Sequence, residues 1–376
     1  MLFVRDVLPG ERARVRVAEI GRKGRFVRAD LLEVLTASEH RVEPPCRFAG
    51  PGQCGGCDFQ HVEVGEQRRL KAAVVAEQLR RLGGVDDLSG VWSGEVEALP
   101  DPVAAMPGLR WRTRVRFAVD AAGRAGLRRH RSHEVVPIDD CLIAHEGVDV
   151  VEVTGTSWPG VEEVSVQVDP ASGDRDVTVG RGHGSEALTM TAAGRSWQVS
   201  SGGFWQVHPA AADTLVDAVM SFAAPRQGER LVDLYAGVGL FSGVWGSRCG
   251  GAVEVVEGDH RAAGDAFANL ADLSGVEVHS EAVEDFVAYG DVSADVVVLD
   301  PPRVGAKQAV VDGVAAWGAR AVVYVACDPA ALARDVRYFA ASGYRLTALR
   351  AFDLFPMTHH VECVALLEPA SDGSPG

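Results

Sequence analysis

The sequence lacks several things that would assign it at once. No apolar run is long enough to cross a bilayer, and the opening stretch MLFVRDVLPGERARVR has no apolar h-region of the kind that directs export. A membrane protein and a secreted disulfide scaffold are thereby set aside, and a cytoplasmic chain is expected. An excess of positive charge is also missing. The formal net charge is −15, which taken alone argues against a nucleic-acid partner. No internal repeat is evident. The seven cysteines are an odd set, and three of them crowd into residues 46–57. Without an export signal, that pattern points to metal binding or catalysis and away from a disulfide framework.

What is present begins with size. The 376 residues, 47% of them hydrophobic, suffice for two or three globular domains. Charge is unevenly spread. Residues 1–150 hold 23 basic and 22 acidic side chains, and the remainder holds 14 and 30. Within the first part, RWRTRVRF (110–117) and RAGLRRHR (124–131) carry eight arginines, and ERARVRVAEIGRKGRFVR (11–28) carries six arginines and a lysine. Arg12, Arg14 and Arg16 alternate with strand period and so share one face. Each patch by itself fits a solvated strand face. Several together in an otherwise acidic protein point to a polyanion site.

Pattern divides the chain. Residues 1–45 read as short strands punctuated by glycines, as in a small β-barrel. Residues 46–61 form a Cys/Gly/Pro loop, and EQRRLKAAVVAEQLRRL (66–82) reads as a helix that can pack on the C-terminal part. From 110 to 200 short strands alternate with turn signals, giving a β-rich central domain over 46–200. From about 201 to 368 helices and strands alternate, which predicts a doubly wound, mostly parallel α/β sheet. The tail, 369–376, is expected to be disordered.

In such a sheet ligands lie beyond the carboxyl ends of the strands. LVDLYAGVGLFS ends a strand in a turn with Gly237 and Gly239. Eighteen residues after Gly239, AVEVVEGD ends in Glu257, placed to accept from ribose hydroxyls. Ser242 stands where a dinucleotide fingerprint would have its third glycine. VVVLDPPR delivers Asp300 ahead of two prolines that fix a rigid exit. VYVACDPAALARD delivers Cys327, with Asp328 a natural N-cap and Pro329 a natural first helical residue. A helix N-terminus there favours a thiolate. Cys249 and Cys363, in apolar surroundings, read as buried structural cysteines. HHVECVALLE carries Glu362, either a solvated strand-edge residue or a catalytic carboxylate.

Together FWQVHPAAADTLV, DLYAGVGLFS, VEGD, LDPPR, ACDPAALARD and FDLFPMTHHVECVALLE resemble the S-adenosylmethionine-dependent RNA uracil-5-methyltransferases, in the branch that modifies 23S rRNA and carries a [4Fe–4S] cluster. The resemblance runs the length of the chain and implies an N-terminal TRAM-like barrel over 1–45 and a Rossmann-like methyltransferase domain over 201–368. It implies Cys327 as the nucleophile that adds to carbon 6 of uracil, Glu362 as the base that removes the carbon-5 proton, and Asp300 as the residue that orients the uracil edge. Gln206, Tyr235, Gly237, Gly239, Glu257 and Asp300 are implied at the cofactor. Leu240 departs from the polar residue that some members have after the glycine turn. The resemblance points to a uridine of 23S rRNA, with tRNA as the alternative, and that uridine must leave its stack to reach Cys327. A monomer is expected.

The cysteine loop CRFAGPGQCGGCDFQH supplies Cys46, Cys54 and Cys57, and Cys141 is a distant fourth. One Cys-x-x-Cys with two isolated cysteines is not the double-knuckle zinc pattern. The resemblance implies a [4Fe–4S] cluster on these four, although seven residues rather than five precede CGGC. Zinc and no metal are the alternatives. His61 and His145, beside the loop segments, read as ordinary polar residues. Two rival functions stay open at this point, a small-molecule methyltransferase and a non-catalytic Fe–S protein that binds RNA or senses redox state.

Overall fold

The computed structural model describes residues 2–180, 187–289 and 292–370. The N-terminal β-domain consists of β1 (Leu2–Val4), β2 (Arg12–Ile20) and β3 (Val27–Thr36). They pair in the order β1–β3–β2, an open three-stranded sheet among the described residues. Arg12, Arg14 and Arg16 alternate onto an exposed face as their spacing requires. Arg14 and Arg16 are nevertheless paired across the sheet with Glu33 and Asp30, so this face is not an uncompensated basic stripe.

The cysteine loop leads into α1 (Val64–Gln78), which ends in a π-helical turn over Leu79–Gly83 and a left-handed Gly84. Ala72, Val75 and Leu79 pack into the same core as Leu332, Ala333 and Val336 near the C-terminus. After β4 (Val96–Ala98) come β5 (Arg114–Val119), β6 (Ala125–Arg128), β7 (Val135–Pro137), α2 (Val150–Gly155), β8 (Glu163–Val168) and β9 (Arg175–Val179). These strands form an antiparallel sheet in the order β7–β6–β5–β8–β9 around Phe117, Val164 and Val166. A hairpin follows, β10 (Leu188–Ala192) and β11 (Arg195–Val199).

The C-terminal part then alternates: α3 (Ala211–Ala223), β12 (Leu231–Leu234), α4 (Leu240–Cys249), β13 (Val253–Glu257), α5 (His260–Asn269), β14 (Val276–Ser280), α6 (Val283–Tyr289), β15 (Val296–Leu299), α7 (Lys307–Ala316), β16 (Ala321–Ala326), α8 (Pro329–Ala341), β17 (Tyr344–Asp353) and β18 (Glu362–Pro369). Eight strands make one sheet in the order β14–β13–β12–β15–β16–β18–β17–β4. β12, β15 and β16 are buried along their whole length, as parallel strands covered on both faces must be. The early strand β4 is the far edge of this sheet, and Trp197 of the hairpin packs against α4, where a side chain at Gly243 would stand 2.4 Å from its ring. Segments before residue 200 therefore complete the C-terminal layer. Pro369 pairs with Tyr344 and Ala370 N donates to Gly343 O, so ordered chain extends past 369; residues 371–376 lie outside the described residues. Among the described residues no helix is long and apolar enough to cross a membrane.

One buried ion pair fixes α1 to the sheet. Lys71 Nζ donates to Asp353 Oδ1 at 2.5 Å and to Phe355 O at 3.0 Å, with both side chains at most 2% exposed. Lys71→Met leaves a buried carboxylate uncompensated and is expected to cost about 3–5 kcal/mol. The double variant Lys71→Met/Asp353→Leu should recover most of that loss in chemical denaturation. Equal losses in the two variants would place the stability elsewhere.

Candidate active site

Strand order reverses between β12 and β15, which opens a crevice at their carboxyl ends. Tyr235 follows β12 directly and takes a left-handed φ of 61°. Gly237 and Gly239 are also left-handed. A side chain on Gly239 would meet Leu270 at 2.9 Å, whereas nothing lies within 4 Å of a Cβ built on Gly237, so that turn stays open to an approaching ligand. Glu257, at the end of β13, accepts from Gly237 N at 2.8 Å and from Asp259 N at 2.7 Å. Its carboxylate thus braces the turn in addition to any contact with a ribose. Gln206 sits half-buried in the loop before α3.

Asp233 is a site residue that the strand-end reading missed. It is fully buried, and its Oδ2 accepts from Ser242 N at 3.0 Å and Ser242 Oγ at 2.6 Å. It thereby holds the first turn of α4, whose own N-cap Gly239 has no side chain to do so. The serine in place of the third glycine is thus part of the turn's support. The signal was visible: an acidic residue inside an apolar strand two positions before Tyr235. Burial pushes the Asp233 carboxyl up to about 7.

Cys327 and Glu362 are brought together by strand pairing. β18 runs antiparallel to β16, and the last pair in register is Ala326 with Cys363; one step further stand Cys327 and Glu362. Asp300 follows β15, the next strand over, and its N donates to Leu234 O. Burial, then Asp233 and Glu257, push Asp300 up to about 7. Burial and Asp300 raise Glu362 well above the usual carboxylate range. Glu362 is 4% exposed, so it is not a solvated strand-edge residue.

The thiol departs from expectation. Asp328 caps α8, accepting from Ala330 N at 2.9 Å and Ala331 N at 2.8 Å. The helix N-terminus nevertheless does not dominate at Cys327, because burial, Glu362 and Asp300 push its pKa up to about 11. The cap itself helps explain this: a carboxylate already occupies the first-turn amides. The Arg303 guanidinium, in LDPPR, opposes the rise in both Cys327 and Glu362; sequence reading quoted that motif without giving its arginine a role. Cys249 and Cys363 are buried in the core, as expected.

Cys46, Cys54, Cys57 and Cys141 line one cavity with apolar walls that include Phe48 and Val115. Gly56 N and Gln60 Nε2 donate to Cys54 Sγ and Cys57 Sγ, each at 3.4 Å. Burial raises Cys57 to about 12 and Cys141 to about 11. Among the described residues, the potential ligands that crowd within 4.8 Å of one another are Glu254, Glu277 and His279, not the cysteines. His145 Nδ1 accepts from Gly147 N and caps a turn. Two arginines in the basic patches are also committed elsewhere. Arg114 donates to the carbonyls of Gly202 and Gly203, and Arg112 lines the cysteine cavity. Arg128 stays exposed.

These buried acids give a pH-dependent signature. Asp300 is raised in the folded state, so its contribution is intact below the unfolded value of 3.8 and is lost as pH rises through about 7. Asp300→Asn cannot ionise. Relative to the parent it should gain stability at pH 8 and little or none at pH 4. Denaturation at the two pH values checks the sign, and a gain that is larger at pH 4 would refute it.

Comparison with known proteins identifies the family. A family model described as tRNA (uracil-5-)-methyltransferase matches residues 283–370, the stretch from α6 to the end of β18. The chain is 50% identical to an uncharacterized RNA methyltransferase of Streptomyces coelicolor, over 99% of this chain and 89% of the relative. It is 31% identical to the 23S rRNA (uracil(1939)-C(5))-methyltransferase of Pseudomonas aeruginosa, over 97% of this chain and 89% of that enzyme. In fold it is similar to the tRNA (uracil-54, C5)-methyltransferase of Pyrococcus abyssi, solved with S-adenosyl-L-homocysteine, at a TM-score of 0.72 and 22% identity over 97% of this chain and 94% of that one. With end-to-end identity of this extent to a uracil-C5 enzyme, the chain belongs to the S-adenosylmethionine-dependent RNA (uracil-5-)-methyltransferase family.

Proposed function

We propose that this enzyme methylates carbon 5 of a uridine in 23S rRNA through a covalent adduct on Cys327. The observation that carries the reading is the pairing of β16 with β18, which sets a half-buried thiol beside a buried carboxylate at the mouth of the cofactor crevice. The 23S rRNA target draws support from the named Pseudomonas aeruginosa relative. We place the enzyme in the cytoplasm, acting as a monomer on a flipped-out uridine.

Carbon 5 of uracil is a weak nucleophile. Cys327, having lost its proton, adds to carbon 6 and leaves carbon 5 enolate-like. Carbon 5 then takes the methyl group of the sulfonium donor, whose thioether departs. Glu362 removes the hydrogen on carbon 5, the carbon 6–sulfur bond breaks, and the thiolate is released. Asp300 orients the uracil edge. Gln206, Tyr235, Gly237, Gly239 and Glu257 hold the S-adenosylmethionine. With burial, Glu362 and Asp300 pushing the Cys327 thiol up to about 11, its thiolate is a minor species at neutral pH. Arg303 already opposes that rise, and a bound sulfonium cation would lower the thiol's pKa further.

We further propose that Cys46, Cys54, Cys57 and Cys141 hold a [4Fe–4S] cluster. Four cysteines on one apolar-walled cavity suit it, as do the two N–H donors to sulfur. At a zinc–sulfur distance of about 2.3 Å, zinc would draw its sulfurs to roughly 3.8 Å from one another, and the cysteines are not gathered that tightly. A cluster of four irons holds its thiolates further apart. Its iron would supply the positive charge that offsets four buried thiolates. Anaerobically purified protein should contain iron and absorb broadly in the visible. Stoichiometric zinc without iron would rule the cluster out.

The two catalytic assignments predict different failures. Cys327→Ala should form no adduct and move no methyl group. Glu362→Gln should add and methylate, then stall, with turnover down roughly 10²–10⁴-fold and a covalent RNA–protein species on a denaturing gel. An adduct in Cys327→Ala, or unchanged methylation in both, would refute the assignment. Mapping 5-methyluridine in the 23S rRNA and tRNA of a deletion strain tests the target; loss from tRNA alone would overturn the 23S assignment.

A further inference from the structure

Between the cysteine loop and Glu362 lies a junction that the reaction scheme leaves unused. Residues 354–361 join β17 to β18, and Met357 in their midst holds a φ of 64°, a left-handed conformation uncommon for a residue with a side chain. Its backbone is held on both sides. Met357 N donates to Gln67 Oε1 at 2.8 Å, and Met357 O accepts from Asp58 N and Phe59 N, both at 2.9 Å. Its thioether is buried with Leu109, Trp111 and Ile143, and Gln67 Nε2 lies 3.2 Å from its sulfur.

Gln67 is fully buried on the first turn of α1. Its Nε2 also donates to Phe59 O at 3.1 Å and Val62 O at 2.9 Å. One side chain therefore joins α1, the end of the cysteine loop and Met357. A second tie follows, since His359 N and Nδ1 meet Asp58 Oδ2 at 3.2 and 2.6 Å. Three residues later the chain enters β18 at Glu362.

We propose that Gln67 is a positioning residue for Glu362. By holding Met357 left-handed, it fixes the direction in which the chain enters β18, and so the stance of the carboxyl beside Cys327. Left-handed backbone at a residue with a side chain persists only where its surroundings over-determine it, and the Gln67 amide is a large part of those surroundings. Without it, the buried Met357 N–H loses its acceptor and φ is free to relax. Cys327 and Asp300 come from β16 and β15 and do not pass through this loop. Addition to carbon 6 should therefore survive the loss of Gln67, while removal of the carbon-5 proton should not. The inference rests on the reading of Glu362 as the base.

Gln67→Met keeps the volume and removes the amide. Two substrates separate the steps, 5-fluorouridine RNA for adduct formation and RNA deuterated at uridine carbon 5 for proton removal. Gln67→Met should trap 5-fluorouridine RNA at the parent rate, while turnover on ordinary RNA falls roughly 10–10²-fold. A methylated covalent adduct should accumulate, and the deuterium isotope effect should rise above the parent's. Gln67→Glu retains an acceptor for Met357 N and should restore turnover without adduct. Parallel losses in trapping and turnover with an unchanged isotope effect, or an adduct as persistent in Gln67→Glu as in Gln67→Met, would overturn the assignment. A parent enzyme that traps no 5-fluorouridine RNA would instead bring down the reading of the site, and this inference with it. A trapping parent that Gln67→Met matches in every readout would overturn the inference alone.

Discussion

The arrangement turns on one strand that runs against its neighbours. β18 inserts antiparallel between β16 and β17, so its first residue lies at the same edge of the sheet as the last residues of β12, β15 and β16. In a wholly parallel sheet the start of a strand faces the opposite edge, and Glu362 would stand a strand's length from Cys327. The reversal lets an acid at a strand's beginning meet a thiol at another strand's end. It also makes the loop before β18 part of the site.

That edge is electrostatically strained. Asp233, Asp300, Glu257 and Glu362 converge with Cys327 around the crevice, and burial raises Asp233, Asp300, Glu362 and Cys327 together. Buried acids of like charge cannot all ionise in the free protein. A cationic ligand relieves the repulsion, and the methyl donor of this family is a sulfonium. The same groups that make the empty site unfavourable at high pH thus favour the cofactor.

The N-terminal half helps to build the C-terminal layer. β4 closes the far edge of the main sheet, α1 grips Asp353 and the loop after it through Lys71, and the cysteine loop donates two amides to Met357. The cysteine-lined cavity and Glu362 are therefore linked by short, buried contacts although they belong to segments about 300 residues apart. The rival readings, a small-molecule methyltransferase and a non-catalytic Fe–S protein, are set aside by membership of the family.

Much was legible in the chain itself. The alternation of apolar strands and helices after residue 201 reflects period and burial, which local sequence encodes directly, and the glycine turn, the Asp-Pro-Pro exit and the Asp328 cap of α8 stand where their residue types require. The conformation of Met357 was not legible, because nothing in LFPMTHH demands a left-handed residue; Gln67 and the Asp58–Phe59 amides impose it from across the fold. Nor was the support that Asp233 gives to Ser242, which depends on the turn bringing strand and helix together. The state of the Cys327 thiol was misjudged for the same reason. A helix N-terminus is visible in sequence, whereas the burial and the two carboxylates that outweigh it exist only once β15, β16 and β18 are side by side. Sequence by itself supplied the candidate groups and their places at strand ends. Tertiary structure decided their charge and aim, because desolvation and Coulomb interaction depend on distance in space and not along the chain.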